Sequence, residues 1–169
     1  RDGKVLILAY DHGLEHGPAD LLANRDSTDP RHVFDLGTHD DVTAIAVQKG
    51  LAETYYREYS DDIPLLVKLN GKSSLTTAEP YSALNCSVER AAELGADAVG
   101  YTIYPGSGRE ADMFETFRQV QENARDYGLP VVVWAYPRGG TVEDDTAAEV
   151  VQYAARISLE LGADIAKVK

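Results

Sequence analysis

The chain has 169 residues, enough for one domain with a sizeable core. Its 16 basic and 28 acidic residues give a net charge of −12, which argues against nucleic acid or an anionic membrane as a partner. A single cysteine, Cys86, excludes an internal disulfide and a cysteine-based zinc site, and no stretch reads as a membrane span or signal peptide, so a cytoplasmic protein is expected. The acidity is spread over short runs such as Asp40-Asp41, Asp61-Asp62 and Asp144-Asp145, which suits a solvated, salt-adapted surface.

In chain order, an apolar strand at Lys4–Tyr10 leads to a helix at Asp29–Leu36. Val42–Val47 is followed by a helix at Gly50–Tyr59, Ile63–Leu69 by one at Ser87–Leu94, and Ala96–Tyr104 by one at Ala111–Tyr127. Pro130–Tyr136 precedes the clearest helix, Asp144–Leu161, with acidic residues in its first turn and Gly162 past its end. Asp164–Lys169 reads as a sixth strand. Strands alternating with helices call for right-handed βα units on a parallel sheet.

The sequence also echoes itself. Glu93-Leu94-Gly95-Ala96-Asp97-Ala98-Val99 and Glu160-Leu161-Gly162-Ala163-Asp164-Ile165-Ala166 share a helix end, a glycine cap and a strand start, 67 residues apart. That is two units of about 33 residues each, close to the unit length of a (β/α)8 barrel of about 250 residues. The expected fold is therefore α/β, a (β/α)8 TIM barrel of which residues 1–169 cover strands one to six as a single domain truncated at its C-terminal end. Strands one and six would then be open edges prone to association. The rival is an open doubly wound sheet, but the turn Asp11-His12-Gly13-Leu14-Glu15-His16-Gly17 after the first strand is not a dinucleotide fingerprint.

In a barrel the chemistry sits where strands end. Strand one delivers Asp11 and His12, strand three Lys68, Asn70 and Lys72, strand four Tyr101 and Tyr104, strand five Trp134, Tyr136 and Arg138, and strand six Lys167 and Lys169. The chain has only six lysines, all in or beside strand segments. A lysine in a buried strand must be paired or give up its proton, and a neutral amine attacks carbonyls to form a Schiff base. Lys167 and Lys169 share a face of strand six, so periodicity does not choose between them. Trp134 and Tyr136 share a face of strand five, and a phenol beside the amine would supply the acid/base that carbon–carbon cleavage needs.

Two further motifs are weaker. His12-Gly13-Leu14-Glu15-His16 fits the H-x-x-E-H zinc pattern, which works only on a helix, and Gly13, Gly17 and Pro18 argue against a long one. No metal is expected, and Asp11 and His12 are read as contacts for substrate hydroxyls. Gly106-Ser107-Gly108 opens a helix after strand four, where its backbone N–H groups are placed to hold an anion.

Taken together, Ala9–Pro18, Lys68–Lys72, Tyr101–Gly108, Trp134–Gly140 and Gly162–Lys169 resemble the archaeal-type class I fructose-1,6-bisphosphate aldolases along the whole chain. The resemblance implies a barrel, in a homo-oligomer, that reversibly cleaves a sugar phosphate to dihydroxyacetone phosphate and glyceraldehyde 3-phosphate without metal or other cofactor. It makes Lys167 the Schiff-base lysine, Tyr136 the proton donor, Trp134 a wall of the pocket and Asp11 a substrate contact. Lys169 as the cation that helps keep Lys167 neutral is inferred from charge, and Arg138 is read as a phosphate or loop anchor. Two alternatives are a sister Schiff-base aldolase that makes 2-amino-3,7-dideoxy-heptulosonate for aromatic amino-acid synthesis and a metal-dependent lyase. Trp134 and the Asn70-Gly71-Lys72 turn favour the glycolytic enzyme over the sister.

Overall fold

The computed structural model describes residues 3–169. Six strands pair in chain order in one all-parallel sheet: β1 Ile7–Ala9, β2 Ala44–Gln48, β3 Leu65–Lys68, β4 Ala98–Ile103, β5 Val131–Ala135 and β6 Ile165–Lys167. The connections carry the helices α1 Arg31–Gly37, α2 Lys49–Tyr55, α3 Val88–Glu93, α4 Glu110–Asp126 and α5 Ala148–Glu160. This is the repeating unit of a (β/α) barrel, and all six strands and five helices expected from the sequence are present. β1 and β6 form the sheet edges, with Leu6 55% and Ile165 44% exposed.

Boundaries shift for local reasons. The last helix begins at Ala148 instead of Asp144, because the Asp144 carboxylate accepts hydrogen bonds from the Thr146 N–H and hydroxyl and holds a turn there. Helix α3 starts where Ser87 caps it, its hydroxyl accepting from the Arg90 N–H at 3.1 Å. Single helical turns at His12–Glu15 and Ala19–Leu22, and a two-residue antiparallel pairing of Asn70–Gly71 with Ala83–Leu84, were not foreseen.

The sheet has two unlike faces. Outward residues such as Ile45, Val47, Leu65, Val67, Val99, Val131 and Val133 pack against helical side chains including Phe34, Met113, Phe117 and Ala154 in the main core. The inward face carries a thinner cluster of Ala46, Leu66, Val132 and Trp134. Gly100 of β4 pairs with Lys68 on one side and Val132 on the other. A Cβ on Gly100 would lie 2.6 Å from Trp134 Cζ3, 2.8 Å from Leu66 Cδ2 and 3.1 Å from Lys68 Cδ. The absent side chain is thus what makes room for two long inward groups.

The repeated Gly-Ala-Asp has a physical basis. Gly95 and Gly162 adopt φ of +80° and +88° and end α3 and α5. The aspartate that follows then reaches to the preceding strand. Asp97 Oδ2 accepts from the Leu65 N–H at 2.9 Å, and Asp164 Oδ2 from the Val131 N–H at 2.8 Å. Each carboxylate satisfies the first amide of a strand, where the ladder has no other acceptor to offer.

Replacing Asp97 with Ala would strand the buried Leu65 N–H, and urea denaturation should register a loss of about 1–3 kcal/mol. Gly100→Ala should cost a similar ~1–3 kcal/mol through overpacking against Trp134. An unchanged denaturation midpoint in either variant would contradict the packing described.

Candidate active site

The C-terminal ends of five strands surround a cavity of about 300 Å³. Asp11 and His12 reach it from the end of β1, Lys68 from β3, Thr102 and Tyr104 from β4, Trp134, Tyr136 and Arg138 from β5, and Lys167 from β6. Trp134 lies between Thr102 and Lys167 in the ladder and is 4% exposed. Tyr136, two residues on, follows it on the same face.

The Lys167 amine is in hydrogen-bond contact with the Tyr136 hydroxyl and sits 4.8 Å from the centre of its ring. Arg138 places its guanidinium 5.0 Å from the Tyr104 ring centre and 5.8 Å from that of Tyr136. Among the described residues it has no carboxylate partner within ion-pair distance. The Tyr104 phenol is pushed well up, first by burial and then by the nearby Glu15 charge, so it stays protonated.

A second lysine lies deeper. Lys68 is 1% exposed, with its Nζ 3.0 Å from Asp11 Oδ2 and 4.9 Å from the Trp134 ring centre. Glu15 belongs to the same group. Burial raises its carboxyl, the Lys68 charge opposes that rise, and its Oε1 accepts from the Lys72 N–H at 3.3 Å. Beside it Asn70, fully buried, donates from Nδ2 to the Thr102 carbonyl at 2.8 Å and accepts from the Thr102 N–H at 2.7 Å. That clamp carries β3 and β4 together beyond the end of their ladder, and it depends on an amide that both donates and accepts.

Several expected positions come out differently. Lys169 does not line the cavity, because the strand pattern ends at Lys167 and the Lys169 amine turns to Asp145. Ile165, Ala166 and Lys167 of β6, the last strand of the described sheet, are exposed, whereas Lys68 is 1% exposed. Tyr101 points outward, its ring centre 5.5 Å from that of Phe117 in a tilted contact and its hydroxyl donating to the Met113 carbonyl, with its phenol pushed up to about 12 by burial. Thr102 takes the inward place.

His12 does line the cavity, its ring edge-on to Tyr10 and His16. The H-x-x-E-H segment makes only one helical turn, and His16 Nδ1 pairs with Asp20 at 2.6 Å. Among the described residues no three His, Cys, Asp or Glu side chains converge as a metal site. The Gly106-Ser107-Gly108 turn is already served by the chain's own carboxylates: Gly106 N–H donates to Glu110 at 2.8 Å and Gly108 N–H to Glu79 at 3.3 Å. It also meshes with the next loop, since a Cβ on Gly139 would fall 1.9 Å from the Gly106 carbonyl oxygen. The sequence places Lys68 at the end of strand three and Glu15 in the H-x-x-E-H segment but assigns neither a role toward substrate; the structure brings both to the cavity.

An amine touching a phenol, with a carboxylate and a guanidinium on the same wall, is equipped to form an imine and to move a proton beside it. Comparison with known proteins agrees with this chemistry. Residues 5–169 match the model of the DeoC/LacD family of aldolases. The chain is 60% identical over 169 residues to the class 1 fructose-bisphosphate aldolase of Halobacterium salinarum and 54% identical to that of Thermoproteus tenax. It is covered completely in both cases and spans 64% and 63% of those curated relatives' own lengths. A solved archaeal fructose-1,6-bisphosphate aldolase, with its catalytic lysine covalently bound to the carbinolamine intermediate, superposes with a TM-score of 0.94 at 53% identity, over 98% of this chain and 65% of that one. By sequence and by fold, the chain belongs to the DeoC/LacD family of aldolases.

Proposed function

We propose that this protein is a class I aldolase that reversibly cleaves fructose 1,6-bisphosphate, serving glycolysis and gluconeogenesis. The observation that carries the reading is the contact of the Lys167 amine with the Tyr136 hydroxyl at the cavity. Its neighbours among known proteins support the choice of substrate, as does Trp134 beneath that contact.

Lys167 Nζ adds to the C2 carbonyl of the open-chain sugar, and loss of water from the carbinolamine leaves a protonated imine. Tyr136, acting as the proton shuttle, accepts the proton of the C4 hydroxyl at its oxygen as the phenol's own proton passes to a water, while the C3–C4 bond breaks. The bonding pair moves into the imine as an enamine, and glyceraldehyde 3-phosphate departs. Protonation of the enamine at C3 and addition of water to the imine then release dihydroxyacetone phosphate and the free lysine. Every electron pair stays within the substrate and the lysine, so the sequence of steps calls for no metal or redox cofactor.

Trp134 forms the floor of the pocket, Asp11 and His12 receive the sugar hydroxyls, and Arg138 anchors a phosphate. Arg138 suits that task because its guanidinium is held by ring stacking and so offers its donors to an incoming anion. Lys169, engaged by Asp145, stays outside the steps. The same reading extends to a homo-oligomer at work in the cytoplasm.

In the intact protein, Lys167→Met should lower turnover by on the order of 10⁴-fold or more and abolish the adduct that borohydride traps in the presence of fructose 1,6-bisphosphate. Wild-type cleavage by that variant would end the proposal. Tyr136→Phe should still trap an adduct, located on Lys167 by peptide mass mapping, yet lose about 10²–10⁴-fold in cleavage. Equal loss of trapping and cleavage in Tyr136→Phe would remove the phenol from its proton-shuttle role.

A further inference from the structure

Lys68 has no part in the steps just described, although it lines the same cavity and is enclosed there. Its ammonium is enclosed at the end of an apolar strand, where a charge is costly unless paired. The stem lies across Gly100, its Cδ 3.1 Å from where a Cβ would stand, and the Nζ faces the Trp134 ring at 4.9 Å. Little freedom is left to it. Its carboxylate partner, Asp11 at 3.0 Å, lies just past the short strand β1 and opens the one-turn helix His12–Glu15. Asp11 therefore stands on a loop, while the cation that holds it stands on the most enclosed strand of the sheet.

We infer that Lys68 is a positioning residue: its buried ammonium fixes the Asp11 carboxylate at the wall of the cavity that Lys167 also lines, and so orients the polyol chain of the bound substrate. The inference rests on the aldolase reading above. Three observations carry it independently of each other: the enclosure of Lys68, its ion pair with Asp11, and the presence of both partners on the wall of the cavity that Lys167 and Tyr136 also line. Glu15 adds a second acidic group facing Lys68, and its bond to the Lys72 amide ties the β1 loop to the segment that follows the strand bearing the lysine. A pair kept only for stability would be replaceable by apolar side chains of similar volume. A pair kept for geometry would not.

The test uses the intact protein and four variants, Lys68→Met, Asp11→Asn, the double variant and Lys68→Arg. Steady-state cleavage of fructose 1,6-bisphosphate and borohydride trapping mapped to Lys167 are measured on each. Lys68→Met should trap an adduct at the wild-type yield while kcat falls about 10²-fold, the scale of a misplaced substrate contact. Lys68→Arg, which keeps the cation, should recover most of that loss. Adding Lys68→Met to Asp11→Asn should change kcat by no more than about twofold, because the effect travels through Asp11.

Losses that multiply in the double variant, or a Lys68→Met protein with wild-type kcat, would overturn the inference while leaving the aldolase reading in place. Should Lys68→Met fail to give a cooperative melt, the double variant, in which neither charge is left unpaired, carries the comparison against Asp11→Asn. Equal kcat in those two supports the inference and a further large loss overturns it. Failure of the unaltered protein to trap any adduct would overturn the aldolase reading and this inference with it.

Discussion

Inward side chains of a curled parallel sheet compete for one shared volume, and the molecule is arranged around how that volume is divided. Trp134 and the stem of Lys68 take most of it at the level of Gly100, and they fit because β4 contributes no side chain there. The layer below is closed by Ala46, Leu66 and Val132. Everything polar is consequently displaced to one end, above the tryptophan ring, where the strands stop and the loops begin. The concentration of amine, phenol and carboxylate at that end follows from the filling of the interior as much as from the needs of a reaction.

The two cavity lysines are held in opposite ways. Lys68 is enclosed and committed to Asp11, with an aromatic face nearby to spread its charge. Lys167 stands against the Tyr136 hydroxyl, a partner that both donates and accepts hydrogen bonds. A committed cation and an uncommitted amine within one pocket separate the tasks of holding and reacting. Tyr104 and Asn70 support the arrangement, one as a buried phenol that stays neutral, the other as an amide that ties β3 to β4 past the end of their pairing.

The architecture was legible in the sequence because each strand is a compact apolar run and the helices end in glycine before an aspartate, as at Gly95-Ala96-Asp97 and Gly162-Ala163-Asp164. Lys167, Tyr136, Trp134, Asp11, His12 and Arg138 could be gathered to one cavity by the same logic, since each lies at a strand's C-terminal end. Facing was harder. In Val99-Gly100-Tyr101-Thr102-Ile103 the inward position is a glycine, so the alternation of large and small carries no direction, and Tyr101 turned out to face α4. Lys169 shares a period with Lys167, yet its amine turns to Asp145. The Gly106–Gly108 turn reads as an anion site from its own residues, but its anions, Glu79 and Glu110, come from a distant loop and from the following helix.

The aspartate joints at Asp97 and Asp164 bear on how such a barrel can be assembled over generations. Each joint needs only a glycine-capped helix, the aspartate after it and a free amide on the strand before, and it makes no demand on which helix precedes it. A segment running from Gly95 to Gly162 therefore begins and ends with the same connector. Duplication or exchange of segments cut at these glycines would preserve every hydrogen bond of the joint, so the repeat is a modular seam at which a new βαβα unit can be inherited whole.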